Sequence, residues 1–325
     1  MSIFKKTMAR TALFVAAAGC SLGAYAADFP STSIRLVIPY AAGGGADNTA
    51  RIIAQKMGEN LGQTIVVENR PGASGTVAEG TVARSEADGY TVLYDTFAYA
   101  VNASMRELPF DLKKDLIPVA QAATATMIFA VNPNKIKATT LTEFLDDARA
   151  HPDERTYASF GVGSAAHLAT EQLNILSGVT MLHVPYKGGS PALTDVVGGQ
   201  VDAYFANASS GLPYVTSGQL RALAVSSAQR LEALPDVPTV AESGFKDFEV
   251  LDWHGIFVPA GTPQPVVDRL AEAMKAAATD PDVTKRLNDM GIQTAYKAPA
   301  DFADFLSAQI EQWTALIKEK NISLQ

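Results

Sequence analysis

Short runs of apolar and β-branched residues alternate along the chain with stretches in which apolar residues recur every three or four positions. The first unit of this kind joins residues 34–38, a turn at Gly43-Gly44-Gly45 and a helical pattern that begins at Asp47. Alternation of strands and helices is typical of an α/β protein with parallel-rich sheets that helices cover on both faces. Further strands are predicted at residues 64–68, 90–94, 127–131, 156–159, 181–184, 201–205 and 220–225.

Side chains that accept hydrogen bonds from free amides mark several helix starts. Thr140 and Glu143 fit a capping box, and the helix that they open should end near His151 because Pro152 cannot continue it. Other helices are predicted to open at Ser164, Ser190, Thr262 and Asp280, and a last helix to cover residues 300–320.

The first 27 residues have the pattern of a secretory signal peptide. Three basic residues precede a short apolar run at residues 11–19, and Ala24-Tyr25-Ala26 is a small-x-small cleavage site. The apolar run is shorter than the roughly 20 residues that cross a membrane, and no later stretch is long enough. We therefore expect cleavage near Ala26/Ala27 and a mature protein in the periplasm, with no direct membrane insertion.

Cys20 is the single cysteine of the chain and lies inside this leader. Its setting weakly resembles a lipoprotein cleavage site, so the sequence leaves lipidation open, although an incidental leader residue is the simpler interpretation. We expect a mature chain with no disulfide, no zinc–thiolate site and no cysteine nucleophile.

The formal net charge of the chain argues against some classes of binding partner. The formal net charge is −8, and removal of the leader, with its three cations and no anion, makes it −11. Nucleic acids and anionic lipids select clustered cations, so the sequence predicts neither as a partner. Roughly 300 mature residues allow two lobes, and the lack of a linker predicts that the chain crosses between them more than once.

Two turns between a strand and a helix are candidate anion sites. The turn at residues 41–48 lacks both the Gly-x-Gly-x-x-Gly and the Gly-Lys-Ser/Thr phosphate motifs. Free amides at a helix N-terminus still attract a small anion, although a plain tight turn explains these glycines equally well. The second turn covers residues 159–164, and Ser164 could simply cap its helix. Both turns follow the carboxyl ends of predicted strands, where α/β proteins bind ligands.

Catalytic patterns are scarce in this sequence. No Gly-x-Ser-x-Gly nucleophile motif occurs, and the histidines at 151, 167, 183 and 254 are too scattered for a metal motif. His183 is interpreted as packed core, whereas His167 and His254 could line a cleft. The sequence therefore predicts no catalytic residue, no metal and no cofactor.

Seven segments together resemble the receptor proteins of tripartite tricarboxylate transporters, often called Bug proteins. They occur in family order over essentially the whole mature chain. The segments cover residues 38–51, 68–75, 88–93, 183–188, 220–225, 234–240 and 259–263, and include Ile38-Pro39-Tyr40-Ala41-Ala42-Gly43-Gly44-Gly45, Glu68-Asn69-Arg70-Pro71-Gly72 and Pro259-Ala260-Gly261-Thr262-Pro263.

The resemblance implies a two-lobed, hinge-closing periplasmic binding fold of the type II kind. By this resemblance residues 28–128 and 252–325 form the first lobe and residues 129–251 the second. It implies a monomer that captures a small organic carboxylate and delivers it to membrane transporter subunits. A ligand-sensing subunit for a membrane sensor kinase is the alternative, and a periplasmic hydrolase or lyase that uses Ser159 or His167 is the weaker one.

The resemblance also implies which positions form the ligand site. Asp47 is expected to hold the amides of its own loop and Arg51 instead of touching the anion. Phe160 and the Trp253-His254 pair depart from the family pattern and are expected to line the pocket, as plain wall or as a stacking surface, so the ligand's identity stays open. The candidate ligand-binding residues are Tyr40, Gly43, Gly44, Asp47, Thr96, Ser159, Phe160, Ser164, His167, Asn207 and Trp253.

Overall fold

The computed structural model describes residues 29–105, 108–319 and 321–322. The predicted signal peptide at residues 1–27, with its cleavage site and Cys20, lies outside these ranges. The strands are β1 Ile34–Ile38, β2 Ile65–Asn69, β3 Thr91–Thr96, β4 Leu116–Ala125, β5 Met127–Val131, β6 Thr156–Ser159, β7 Leu182–Pro185, β8 Ala203–Asn207, β9 Arg221–Val225, β10 Asp252–Pro259 and β11 Ile292–Lys297. The helices are α1 Gly45–Leu61, α2 Thr76–Ala83, α3 Ala98–Met105, α4 Leu112–Asp115, α5 Leu141–Ala150, α6 Ala165–Ser177, α7 Gly189–Val197, α8 Ala208–Thr216, α9 Gln264–Ala278, α10 Pro281–Asn288 and α11 Pro299–Glu319.

Two mixed sheets flanked by helices form the molecule. The first has the strand order β11-β4-β10-β3-β1-β2, and the second has the order β7-β6-β8-β5-β9. In the first sheet β1 pairs in parallel with β2 and β3, whereas β10 and β11 run antiparallel to their neighbours. In the second sheet β6 is parallel to β7 and β8, and β5 is antiparallel to β8 and β9. The predicted α/β class is confirmed, but the sheets are mixed and not parallel-rich.

The antiparallel half of the first sheet explains why the sequence predicted too much parallel pairing. The strands β4, β10 and β11 were not recognised, because alanine and polar residues dilute the β-branched pattern that marks a strand. In β10, Gly255 weakens the strand pattern further. A β-carbon there would lie 2.4 Å from the ring of Phe302, so the glycine lets α11 pack directly on the strand.

The chain passes between the two sheets at two places. Only Thr126 separates β4 in the first sheet from β5 in the second, and residues 226–251 lead back from β9 to β10. The first sheet therefore takes strands from both ends of the described chain, and the second takes strands only from the middle.

Most predicted element boundaries are met within two residues. The helix predicted from Thr140 covers Leu141–Ala150, with His151 as its C-cap. The amide of Glu143 donates to the Thr140 hydroxyl (3.1 Å), as predicted. The carboxylate of Glu143 accepts instead from the amide of Thr139 (2.7 Å), one residue before the expected partner.

Aromatic clusters form the core of each lobe. Phe129 contacts Phe144 and Phe205 edge to face in the second sheet, with ring centroids 5.2 and 4.9 Å apart. In the first sheet Trp253 contacts Phe302 and Phe305 of α11. Within the described ranges no helix combines the length and apolar character that a membrane crossing requires.

Candidate functional site

A narrow cavity lies where the two sheets face each other. The loop after β1 approaches it from the first sheet, and the loops after β6, β7 and β8 approach it from the second. The cavity volume is about 10 Å³, room for about one water molecule, so the two sides are in contact. The residues that line it are Tyr40, Gly44, Gly45, Ala46, Phe160, Gly189, Tyr204, Asn207 and Asp252.

Two helices begin at this cavity without a side-chain cap. Gly44 is the N-cap of α1 and Gly188 is the N-cap of α7, and neither can offer a side-chain oxygen to the first amides of its helix. Such amides have no partner within the helix, and each helix N-terminus carries about half a positive charge. The two helix starts are close, since a β-carbon on Gly44 would lie 3.4 Å from the amide nitrogen of Gly189. Together they form a positive pole without a basic side chain.

The turn at residues 159–164 contributes in a different way from the predicted one. Three of its amides are used locally: Gly161 donates to the Ser159 hydroxyl (3.3 Å), Gly163 to Nδ1 of His167 (3.1 Å) and Ser164 to the carbonyl of Gly161 (3.1 Å). Ser164 caps α6 by accepting from the amide of His167 (3.4 Å). What the turn presents to the cavity is the ring of Phe160. The open amides of the second lobe come instead from the Gly188-Gly189 turn.

Asp47 holds the first loop together, as the sequence predicted. Its carboxylate accepts from the amide of Gly43 (2.9 Å), from Nε of Arg51 (3.0 Å) and from Nδ2 of Asn69 (2.9 Å). Burial raises the pKa of Asp47, but these hydrogen bonds outweigh it and hold the pKa below its ordinary value. The amide of Gly43 is therefore engaged with Asp47, which leaves the following residues to face the cavity.

Tyr40 and Thr96 form one wall of the cavity. Their hydroxyl groups lie 2.8 Å apart, and Thr96 supports the tyrosine without lining the cavity itself. The Tyr40 ring meets Phe160 of the other lobe edge to face, with centroids 5.9 Å apart. Burial, followed by the charges of Asp95 and Asp252, raises the pKa of Tyr40 well above its ordinary value, so its hydroxyl stays protonated.

Three acidic side chains act on the cavity wall. Asp252 lines the cavity, Asp95 and Glu79 are buried, and the charges of all three act on Tyr40. Burial is the main reason that the pKa of Asp95 rises to about 8, and the charge of Asp252 adds to it. The cavity lining therefore includes one carboxylate, that of Asp252, and the carboxyl group of Asp95 is close enough to be affected by its charge.

Trp253 does not line the cavity, although the sequence predicted that it would. Successive side chains of a strand point to opposite faces. In β10 this alternation sends Asp252 to the cavity and Trp253 to the aromatic cluster with Phe302 and Phe305. His254 is also buried, and its Nδ1 lies 2.7 Å from the hydroxyl of Tyr94.

A stack of rings supports the turn at residues 159–164. His183 is half-buried and not packed core as predicted: its Nε2 lies 2.6 Å from Oγ of Ser159, and its ring stacks on His167 at 4.1 Å. Burial lowers the pKa of His183 to about 4, so the ring is neutral at neutral pH. The described residues contain no cluster of three or more His, Cys, Asp or Glu that could hold a metal ion.

The two lobes are joined at the cavity by backbone as well as side chains. The amide of Ala41 donates to the carbonyl of Lys187 (3.2 Å). A β-carbon on Gly188 would lie 2.9 Å from the Ala41 nitrogen, so this approach requires glycine. The loops that the sequence identified thus share one crevice.

Five cavity residues are not among the predicted ligand-binding residues, although Gly45 and Ala46 lie in the predicted anion-binding turn: Gly45, Ala46, Gly189, Tyr204 and Asp252. The Gly188-Gly189 turn could have been found, since it also stands between a predicted strand and a predicted helix. Tyr204 lay in a strand predicted as core, and Asp252 lay in a strand that was not recognised. For these two residues the sequence offered no signal.

Known proteins resemble the chain over nearly its whole described length. It is 39% identical over 297 residues, 91% of this chain and 88% of the relative, to the "UPF0065 protein in tcbD-tcbE intergenic region" of Pseudomonas sp. (strain P51). A solved structure described as periplasmic binding protein BugD is 33% identical, with a TM-score of 0.86 over 91% of this chain and 99% of that one. A protein of R. palustris solved with adipate is 32% identical, with a TM-score of 0.87 over 91% of this chain and 99% of that one. The family model described as tripartite tricarboxylate transporter family receptor matches residues 49–322, and the chain belongs to that family.

Proposed function

We propose that this protein is a periplasmic receptor that captures a small organic carboxylate in the cavity between its lobes and hands it to the membrane subunits of a tripartite transporter. Its family is one of transporter receptors, and the similar R. palustris protein was solved with a dicarboxylate, adipate. We propose further that the receptor acts as a monomer and catalyses no reaction.

The meeting of two uncapped helix N-termini at one cavity carries this proposal. Among the described residues that line the cavity there is no lysine or arginine. A carboxylate there would be held by the first amides of α1 and α7 and by the dipoles of both helices. We propose that the cavity residues contact the ligand, and that Gly43, Asp47, Thr96, Ser159, Ser164 and His167 hold the surrounding loops in place.

Closure around the ligand follows from the size of the cavity. A volume of about 10 Å³ does not admit a dicarboxylate, so the lobes must separate before a ligand enters. We propose that the lobe built on the first sheet moves against the lobe built on the second, with hinges at Thr126 and within residues 226–251. The ligand then shifts the population towards the closed form, because only that form offers it both helix N-termini.

A ligand screen with a loop variant tests the proposed function. At 100 times its Kd, a carboxylate should stabilise the mature protein by about 2.7 kcal/mol in a thermal-shift assay with mono-, di- and aromatic carboxylates. The Gly44→Val variant should fold and lose this stabilisation, because the added side chain fills the gap to Gly189. Gln55→Ala, on the exposed side of α1 and away from the cavity, is the control. Equal stabilisation of wild type and Gly44→Val would contradict the proposal.

The membrane proteins that crosslink to this protein distinguish a transport receptor from a ligand-sensing subunit of a sensor kinase. Crosslinking of the ligand-bound protein in its native membrane should recover transporter subunits. Recovery of a sensor kinase instead would overturn the delivery step and leave the binding step intact. Turnover of any bound carboxylate that is lost in Ser159→Ala would show that the Ser159–His183 contact is catalytic, which we do not expect.

A further inference from the structure

Resting on the proposed function, we infer that the ligand carries a positively charged amino group beside its carboxylate, and that Asp252 binds this group. The natural ligand is then a compact amino carboxylate and not a simple mono- or dicarboxylate. Asp252 and Tyr204 determine this specificity.

Asp252 is a buried carboxylate whose hydrogen bonds are long. It is 1% exposed and lines the cavity. Oδ1 is 3.3 Å from the amide of Phe97, and Oδ2 is 3.4 Å from Nδ2 of Asn207. The nearest basic atom, Nε2 of His254, lies 3.6 Å from Oδ2. Charge-assisted hydrogen bonds are usually 2.7–2.9 Å long, so Asp252 has the capacity to accept a strong donor from the cavity.

The surroundings of Asp252 supply no lysine or arginine to balance it. None of the described residues that line the cavity is basic, and the buried Asp95 is close enough for the charge of Asp252 to act on it. The negative charge of Asp252 also acts on its neighbours, since it contributes, after burial, to the raised pKa of Asp95 and of Tyr204. Burying a carboxylate is unfavourable when the hydrogen bonds that it accepts are long and no cation balances it. A ligand ammonium group would offset that cost.

The hydroxyl of Tyr204 independently indicates that the cavity binds a polar group of the ligand. Its hydroxyl is completely buried, has no hydrogen-bond partner among the described residues and lines the same cavity. A buried hydroxyl is rarely left unpaired, because it loses its hydrogen bonds to water without gaining others. The hydroxyl stays protonated, so it can accept from an ammonium group or donate to a carboxylate.

The geometry places the positive and negative poles of the cavity close together. A β-carbon on Gly45, at the start of α1, would lie 2.4 Å from Cγ of Asn207. Nδ2 of the same asparagine is 3.4 Å from Asp252. One side-chain amide therefore spans the distance from the helix amides to the carboxylate. A ligand that bridges both poles has its two charged groups only a few bonds apart, as in an α- or β-amino acid.

Matched ligand pairs that differ only in the amino group test this inference. Isothermal titration of the mature protein would compare L-alanine with propionate, L-aspartate with succinate, and L-glutamate with glutarate. At least one amino carboxylate should bind ten-fold or more tightly than its partner without nitrogen. Asp252→Asn, of nearly the same shape, should remove most of that difference, and Tyr204→Phe should weaken the amino carboxylate several-fold. Asp304→Asn, on the exposed side of α11, is the control.

The outcomes separate this inference from the proposed function. If carboxylates without nitrogen bind as tightly as their amino partners, or if Asp252→Asn leaves the difference intact, the inference is wrong and the proposed function stands. Tighter binding of dicarboxylates to Asp252→Asn than to wild type would support the inference, because it would show that Asp252 repels a second anion. If no compound of the three pairs and no other carboxylate binds, both are wrong.

Discussion

The backbone of Gly45 lies against the side chain of Asn207 so closely that a β-carbon at position 45 would be 2.4 Å from Cγ of the asparagine. Gly45 belongs to the first turn of α1 on one sheet, and Asn207 caps α8 on the other. Real β-carbons essentially never approach other atoms to within 3.0 Å. The short distance between Gly45 and Asn207 therefore shows that the two lobes are in tight contact at the cavity.

Gly45→Ala should disfavour the closed form. Alanine suits a helix better than glycine by roughly 0.5–1 kcal/mol, so the first lobe should fold normally. The added methyl group collides with Asn207 only when the lobes meet, and Asn207 is fixed by its bond to the Ser209 hydroxyl (2.9 Å). Small-angle scattering should show a larger radius of gyration, and titration a ligand affinity about ten-fold lower. Gln55→Ala, on the exposed side of α1, should change neither quantity, and an unchanged affinity for Gly45→Ala would show that closure does not bring this pair together.

Asp47→Ala should loosen the first ligand loop. The change leaves the amide of Gly43 without its acceptor and removes one of the two acceptors of Nδ2 of Asn69, which still donates to the carbonyl of Tyr40, at a cost of about 1–3 kcal/mol in the free energy of unfolding. Because the loop that carries the α1 amides loses its brace, ligand affinity should fall as well. Urea denaturation and calorimetric titration measure the two effects. Glu59→Ala, on the exposed side of α1, is the matched control. Full retention of affinity would mean that Asp47 does not organise the loop.

Asp95 should make the protein less stable as the pH rises. Burial raises its pKa in the folded state to about 8 from the ordinary value of 3.8. Between these values the folded state holds a proton that the unfolded state has lost, so this group's contribution is full below about pH 4 and is lost as the pH rises through 8. The slope is at most about 1.4 kcal/mol per pH unit. Asp95→Asn should flatten the stability profile between pH 5 and 8, whereas Asp304→Asn should not. A variant profile parallel to that of wild type would contradict this assignment.

His183 should have the opposite effect at lower pH. Burial lowers its pKa to about 4 from 6.5, so the unfolded state binds a proton between these values and the folded state does not. Burial of the neutral His183 ring therefore costs the folded state nothing by protonation above about pH 6.5, and the free energy of unfolding falls as the pH drops from 6.5 towards 4. His183→Gln should reduce the loss of stability over that window in chemical denaturation. The exposed His151→Gln is the control, and equal profiles for the two variants would show that His183 is not the titrating group.

Local pattern was enough to predict much of this fold. The strand at residues 34–38, the helix opened by Thr140 and the N-cap at Ser164 all match the structure, because each depends on neighbours within four residues. The antiparallel strands β4 and β10 were missed, since their stability comes from pairing with distant strands and not from a strong local pattern. The resemblance to a family supplied the two-lobed arrangement that local patterns could not.

The candidate site also contains residues that the sequence predicted and residues that it did not predict. Tyr40, Gly44, Phe160 and Asn207 were predicted and do line the cavity, because they lie on turns that end strands. Trp253 was predicted to line it and instead packs against α11. An unrecognised strand conceals which of two successive residues faces the cavity, and so Asp252 was overlooked.

By itself the sequence determined the α/β class, the first loop with its free amides and the absence of a nucleotide-binding motif, since these follow from residue type and short spacing. Only the tertiary structure decided that Gly188-Gly189 supplies the second set of amides, that the Ser164 turn satisfies its own, and that Asp252 and Tyr204 face the cavity. Those outcomes depend on how two sheets, formed from distant parts of the chain, approach each other, and no local pattern records that approach.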